Sequence, residues 1–266
     1  MIVIKSERIL TGLLIALTVL CCPAAQAGPL WYNGDLDNRD AVPNQTSALS
    51  PGGADGLVYD NFVVPTGSTW NITGVFSNNV LNPSLNLPRV TTAYWEIRSG
   101  VSANNGGTLV ASGDGTDNFA FDGNFSTVFG PGNTAAEYTH EVDGLNVTLT
   151  AGTYWLAVAP DTNGAINAFW YISTTSGTNA IGMPPGNDGN SFFSSNFTGD
   201  NFTPTGSFEG PGNWDYSMGV VGTVQSLVTP EPSVTALSLG AAFSLAAYGL
   251  AGYAYRRKSM SLTVPA

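Results

Sequence analysis

Residues 137–159 read EYTHEV, DG, LNVTLT, AG, TYWLAVA. Three runs rich in β-branched, aromatic and alternating residues are parted by two glycine-containing pairs, Asp143-Gly144 and Ala151-Gly152. Alternation at period two is the mark of a strand with one buried face, and short Gly-containing pairs suit tight hairpin connections. The stretch therefore predicts an antiparallel meander whose middle strand is 145–150.

The same signal recurs at 57–64, 70–76, 90–98, 108–112, 168–173 and 214–221, and turn clusters such as Asn104-Asn105-Gly106-Gly107 and Asn163-Gly164 lie between. Pro-Gly-Asn appears at 131–133, 185–187 and 211–213, where Pro then Gly fits the centre of a type II turn. Residues 182–212 are dense in Gly, Pro, Asn and Ser, and predict a long loop with a short strand at 191–197. Before residue 229 no sustained 3.6-residue apolar period appears, so helix should be minimal. The expected fold class is all-β: an antiparallel β-sandwich or jelly roll filling one domain, residues 28–228.

Both ends of the chain carry addresses. At the C-terminus Pro230, Glu231 and Pro232 precede a charge-free apolar run, 234–255, which is followed by Arg256, Arg257 and Lys258 and a short tail, 259–266. As a helix the run would cover about 33 Å, enough for the hydrocarbon core of a bilayer. The basic cluster should remain cytoplasmic, so the bulk of the chain faces outward. This order over residues 229–258 resembles the PEP-CTERM sorting signal on which exosortases act. The resemblance implies that Pro230, Glu231 and Pro232 are the recognition element, that exosortase is a partner, and that cutting nearby releases the domain to the outer surface or the exopolysaccharide matrix. Segments 93–100 and 149–156 also resemble strands of β-sandwich domains found in secreted proteins with such signals.

At the N-terminus Lys5 and Arg8 precede the apolar stretch 9–20, and Ala25 and Ala27 flank Gln26 as a small-x-small cleavage site. Residues 1–27 read as a signal peptide, with signal peptidase and the export machinery as partners, and the mature chain should begin at Gly28. A lipoprotein alternative at Cys21 or Cys22 meets Leu20 or Cys21 where a lipobox wants Gly or Ala. Both cysteines fall in the removable segment, which leaves no thiol or disulfide in the exported part.

The exported part keeps Arg39, Arg89 and Arg98 as its only basic side chains besides His140, against 17 Asp and Glu. So acidic a domain excludes nucleic acid as partner, because phosphate backbones need a cationic footprint. The lone His140 cannot build a multi-histidine metal site, and no Gly-x-Ser-x-Gly elbow accompanies it. A surface or packed structural histidine is the expectation. Glu96, Glu137, Glu141 and Glu209 offer carboxylates for a secreted hydrolase, although Glu96 can equally pair with Arg89 or Arg98. Calcium has two candidate clusters, Asp35, Asp37 and Asp40, and Asp114, Asp117 and Asp122, neither with the spacing of an EF-hand. Aromatic doublets place Trp155 and Trp170 as candidates for stacking on sugars. The expected function is a non-catalytic binding or structural role at the cell surface or in the matrix, with a carbohydrate-binding module or adhesin, aided by calcium, as the alternative.

Overall fold

The computed structural model describes residues 27–46, 55–81, 90–126, 135–162, 170–209 and 212–226. The signal segment before Ala27, the sorting motif, the apolar run and the basic cluster lie outside these residues. The chain divides into two compact units, 1–225 and 226–266, and the elements below belong to the first apart from the last residue of the final strand. Among the described residues no helix is long and apolar enough to cross a membrane. A single 3-10 turn, Thr205–Ser207, is the helix they contain.

The rest is strand. In chain order these are β1 (Gly28–Tyr32), β2 (Leu36–Pro43), β3 (Gly56–Leu81), β4 (Thr92–Ser99), β5 (Thr108–Thr116), β6 (Ala120–Ser126), β7 (Ala135–Pro160), β8 (Tyr171–Thr175), β9 (Phe192–Ser195), β10 (Asp200–Pro204), β11 (Asp215–Tyr216) and β12 (Met218–Ser226). They form one large antiparallel sheet with the central order β1-β12-β3-β7-β4-β5. β6 pairs with β7, β8 and β9 pair with β3, β2 and β11 pair with β8, and β10 pairs with β9.

The expected meander is overturned. Residues 137–159 belong to one strand, β7, which runs antiparallel to the equally long β3. The two Gly pairs form bulges in place of hairpins. Gly74 faces Asp143 and Ile72 faces Val147, so residues 144–146 stand opposite Thr73 alone, and Gly144 takes the positive φ of 75° that this kink requires. At the second irregularity Val64 faces Gly152 and Thr69 faces Thr150, leaving 65–68 opposite Ala151. Pro65, which has no N–H to give a ladder, falls in that gap. A straight strand of this length would extend about 85 Å, well beyond the width of a domain of this size, so the bulges let the pair bend within it.

The bent pair builds the core. From β4, Ala93, Trp95 and Ile97 point at period two into a cluster with Val58, Phe62, Ile72, Leu156 and Val158. The opposite face of the same strands is covered too: Trp155 and Ala157 of β7 pack with Tyr59, Val101, Phe192 and Phe202. A third cluster holds Leu81, Val90 and Trp170, flanked by Phe119 and Tyr138. Four strands escaped the sequence reading: β1, β2, β6 and β10. Each is paired with one other strand only, and β2 (LDNRDAVP) runs four polar residues in succession after Leu36, so no alternation announces it.

Candidate functional site

The sugar-stacking assignment to Trp155 and Trp170 does not hold. Trp170 is 0% exposed and Trp155 7%, because the Phe119 and Tyr138 rings pack edge-on against Trp170, and Trp155 meets Phe192 within a cluster that also holds Tyr59 and Phe202. Neither offers a face to a ligand.

Of the two places expected for His140, surface or packed interior, the structure has the second. His140 is buried, its Nδ1 lies 2.7 Å from Asp117 Oδ2, and its ring meets Trp170 edge-on at 4.6 Å between centroids. Ser77 stands directly opposite on β3, which completes the composition of a Ser-His-Asp set. It has no triad geometry: Ser77 is buried, its Oγ donates to the Val158 carbonyl, and His140 Nε2 has no hydrogen-bond partner.

Glu96 pairs with Arg98, in one of the two ways anticipated, but in the interior. Its carboxylate accepts from Arg98 Nε at 2.8 Å, from Arg98 Nη2 at 3.2 Å, from Tyr94 Oη at 3.1 Å and from Tyr59 Oη. Glu137 is buried and accepts from Ser173 Oγ at 3.0 Å. Glu209 is half-buried beside Asp40, and burial together with the Asp40 carboxylate pushes its pKa up to about 8.

Glu209 borders a groove of about 500 Å³. Val42 and Pro43 of β2, Tyr171 of β8 and Phe193 of β9 form its apolar floor. Phe197 and Phe208 stand at its edge, 70% and 45% exposed, and Asp55, Asp200 and Glu209 supply carboxyl groups. Apolar rings beside a few polar groups are the usual composition of a small-ligand site.

A second constellation lies where the ends of several strands meet. One oxygen each from Asp60 of β3, Asp188 of the loop before β9 and Asp215 of β11 lie within 4.8 Å of one another. Asp60 and Asp215 are 0% exposed, whereas Asp188 opens to solvent. Asp60 accepts from Asn33 Nδ2 at 2.8 Å, the Tyr216 amide at 2.7 Å and the Asn61 amide at 2.8 Å. Asp188 accepts from Asn61 Nδ2 at 3.2 Å and the Asn190 amide at 3.0 Å. Asp215 accepts from the Asp188 and Gly189 amides, the latter at 2.9 Å, and Gly189 reaches it through a φ of 74°. Burial, then the charges of Asp215 and Asp188, hold the Asp60 carboxyl well above its usual range; burial and Asp188 push Asp215 up to about 6.

The calcium candidates read from sequence are not brought together. Asp35 accepts from Tyr32 Oη and Asn179 Nδ2, Asp37 pairs with Arg39, and Asp40 caps the Ala41 amide. Asp117 is engaged by His140, while Asp114 and Asp122 are exposed on β5 and β6. Among the described residues Asp60, Asp188 and Asp215 are the acidic group compact enough to hold one ion. One signal for it was in the chain: Asp60-Asn61 interrupts the otherwise apolar VYDNFVV, a charge where strand β3 should be buried. No protein-family model matches the chain, and no curated protein sequence does.

Proposed function

We propose that the chain is an exported, exosortase-sorted protein of the cell surface or extracellular matrix, with a β-sandwich ectodomain and a non-catalytic role in binding or structure. The observation that carries this is the order of the C-terminal segment: Pro230, Glu231, Pro232, the charge-free run 234–255, then Arg256, Arg257 and Lys258. The non-catalytic part draws support from the described residues, where Glu96, Glu137 and His140 are all committed to buried partners. Clusters on both faces of β3 and β7 support the layered architecture. The test is to fractionate host cells with and without exosortase and follow the intact and trimmed forms. Identical processing in both strains defeats the proposal.

A second reading, a carbohydrate-binding module, is favoured by the groove. Phe197 and Phe208 offer exposed ring faces for a pyranose, and Asp55, Asp200 and Glu209 offer acceptors for its hydroxyls. The acidic surface directs the choice to an uncharged glycan, because an anionic polysaccharide would be repelled. Binding on a neutral-glycan array that Phe197→Ala abolishes supports this reading. Turnover of a glycan that Glu209→Gln abolishes would instead favour the hydrolase.

A further inference from the structure

We propose that Asp60, Asp188 and Asp215, with the side-chain amide oxygens of Asn33 and Asn61, form a calcium site that fastens the loop before β9 to strands β3 and β11. Three carboxyl groups drawn within 4.8 Å, two of them without solvent, bring three negative charges together whenever all are ionised. Buried carboxylates need an opposite charge. The described residues supply none: their Lys and Arg side chains are Arg39 and Arg98, and these pair with Asp37 and Glu96.

The amides are an independent indication. Asn33 is 1% exposed and Asn61 4%, yet the Oδ1 of each is buried without a hydrogen-bond donor. Each amide abuts the acidic cluster, since its Nδ2 donates to Asp60 or Asp188. A buried carbonyl oxygen at the edge of a carboxylate cluster, with no donor, is what an electropositive ligand would satisfy. Carboxylate and amide carbonyl oxygens are both donors that calcium prefers, and the carboxylate oxygens, within 4.8 Å of one another, suit a shell of about 2.3–2.6 Å radius. The exposed Asp188 provides the entry path. Backbone amides bonded to the carboxylates orient the ligands, as outer partners do in metal sites.

The ion would have a mechanical consequence. Asn33 follows β1, Asp60 and Asn61 lie in β3, Asp188 precedes β9 and Asp215 opens β11, so one ion joins four segments distant in sequence. β9 carries Phe193 of the groove, which places the groove's wall downstream of the site. The site does not depend on how the chain is sorted.

The test uses the full chain purified in detergent and stripped with chelator. Isothermal titration to about 10 mM calcium, above the dissociation constants of the weakest known sites, should show one ion bound per chain. Calcium should raise the melting temperature and chelator reverse the rise. Asp188→Asn, at an exposed position that leaves the fold intact by circular dichroism, should weaken binding by at least about tenfold. Asp60→Asn should do the same, and Asp114→Asn on β5 should leave it unchanged. No bound calcium, binding indifferent to Asp188→Asn and Asp60→Asn, or an equal response to magnesium would overturn the proposal.

Discussion

Replacing Arg98 by Met isolates the worth of the part-buried pair that its guanidinium makes with the buried Glu96. The substitution keeps the aliphatic stem and removes the charge. Glu96, with a side chain 3% exposed, then loses the donors at 2.8 and 3.2 Å and keeps the hydroxyls of Tyr59 and Tyr94. At a charge separation near 4 Å and an effective dielectric of about 20, the lost attraction is about 4 kcal/mol. Breaking a buried pair from one side costs about 3–5 kcal/mol in general. Two remaining hydroxyl donors, and an Arg98 side chain that is 21% exposed, place this pair at the low end. The expected loss is about 3 kcal/mol. For a domain of this size that is a fall in Tm of roughly 6–12 °C, measured by urea and thermal unfolding at fixed calcium. Adding Glu96→Leu and Tyr59→Phe should recover most of the loss, since no charge or buried hydroxyl is then stranded and the part-exposed Tyr94 hydroxyl keeps its bond to Ser112. A loss from Arg98→Met alone below about 1 kcal/mol, the level of an exposed pair, would refute the reasoning.

The raised pKa of Glu209 makes stability fall with rising pH: the folded chain holds a proton that the unfolded chain loses near 4.5, so the contribution is full below that value and vanishes as pH passes about 8. The urea midpoint should therefore decline across that window, and Glu209→Gln should flatten the decline. Trp170→Ala, in the third core cluster, should destabilise by about 3–5 kcal/mol, whereas Phe197→Ala at the groove's edge should change stability by less than about 0.5 kcal/mol while abolishing any glycan binding. Mass spectrometry of the secreted form should show Gly28 at its N-terminus. Exchange of Pro230, Glu231 and Pro232 for alanine should leave the C-terminal segment uncut.

Alternation made the fold class legible, because a strand with one buried face prints period two into its residues whatever its partner. β4 is the clean case, with Ala93, Trp95 and Ile97 inward. Connectivity was less legible. Gly144 and Gly152 carry the same local chemistry in a hairpin as in a bulge, and what decides between them is whether β3 runs alongside for the whole length of β7. That partner lies some sixty residues or more away and leaves no mark on the Gly pairs themselves. Solvation was illegible for a related reason. The doublet Tyr154-Trp155 sends rings to opposite faces, as period two requires, but only the distant Phe192 and Phe202 determine that Trp155 is covered.

The carboxylate cluster divides along the same line. Asp60 is an anomaly that its neighbours expose, since a charged side chain inside VYDNFVV cannot reach water from a strand packed on both sides. Asp188 sits among Gly, Pro and Asn, where an aspartate needs no reason beyond the turn it makes. Asp215 follows Trp214 at the head of a two-residue strand. Nothing local links these two to the first. They converge because β3 carries β9 along its first residues and β8 along its last, and β8 in turn holds β11, so the ends of the bent strand bring both acids to one place. The bulges that defeated the meander reading let the strand bend as that convergence requires. Deleting three of the four residues 65–68 that stand opposite Ala151 would straighten β3, and should thus disturb the acidic cluster without touching one of its ligands.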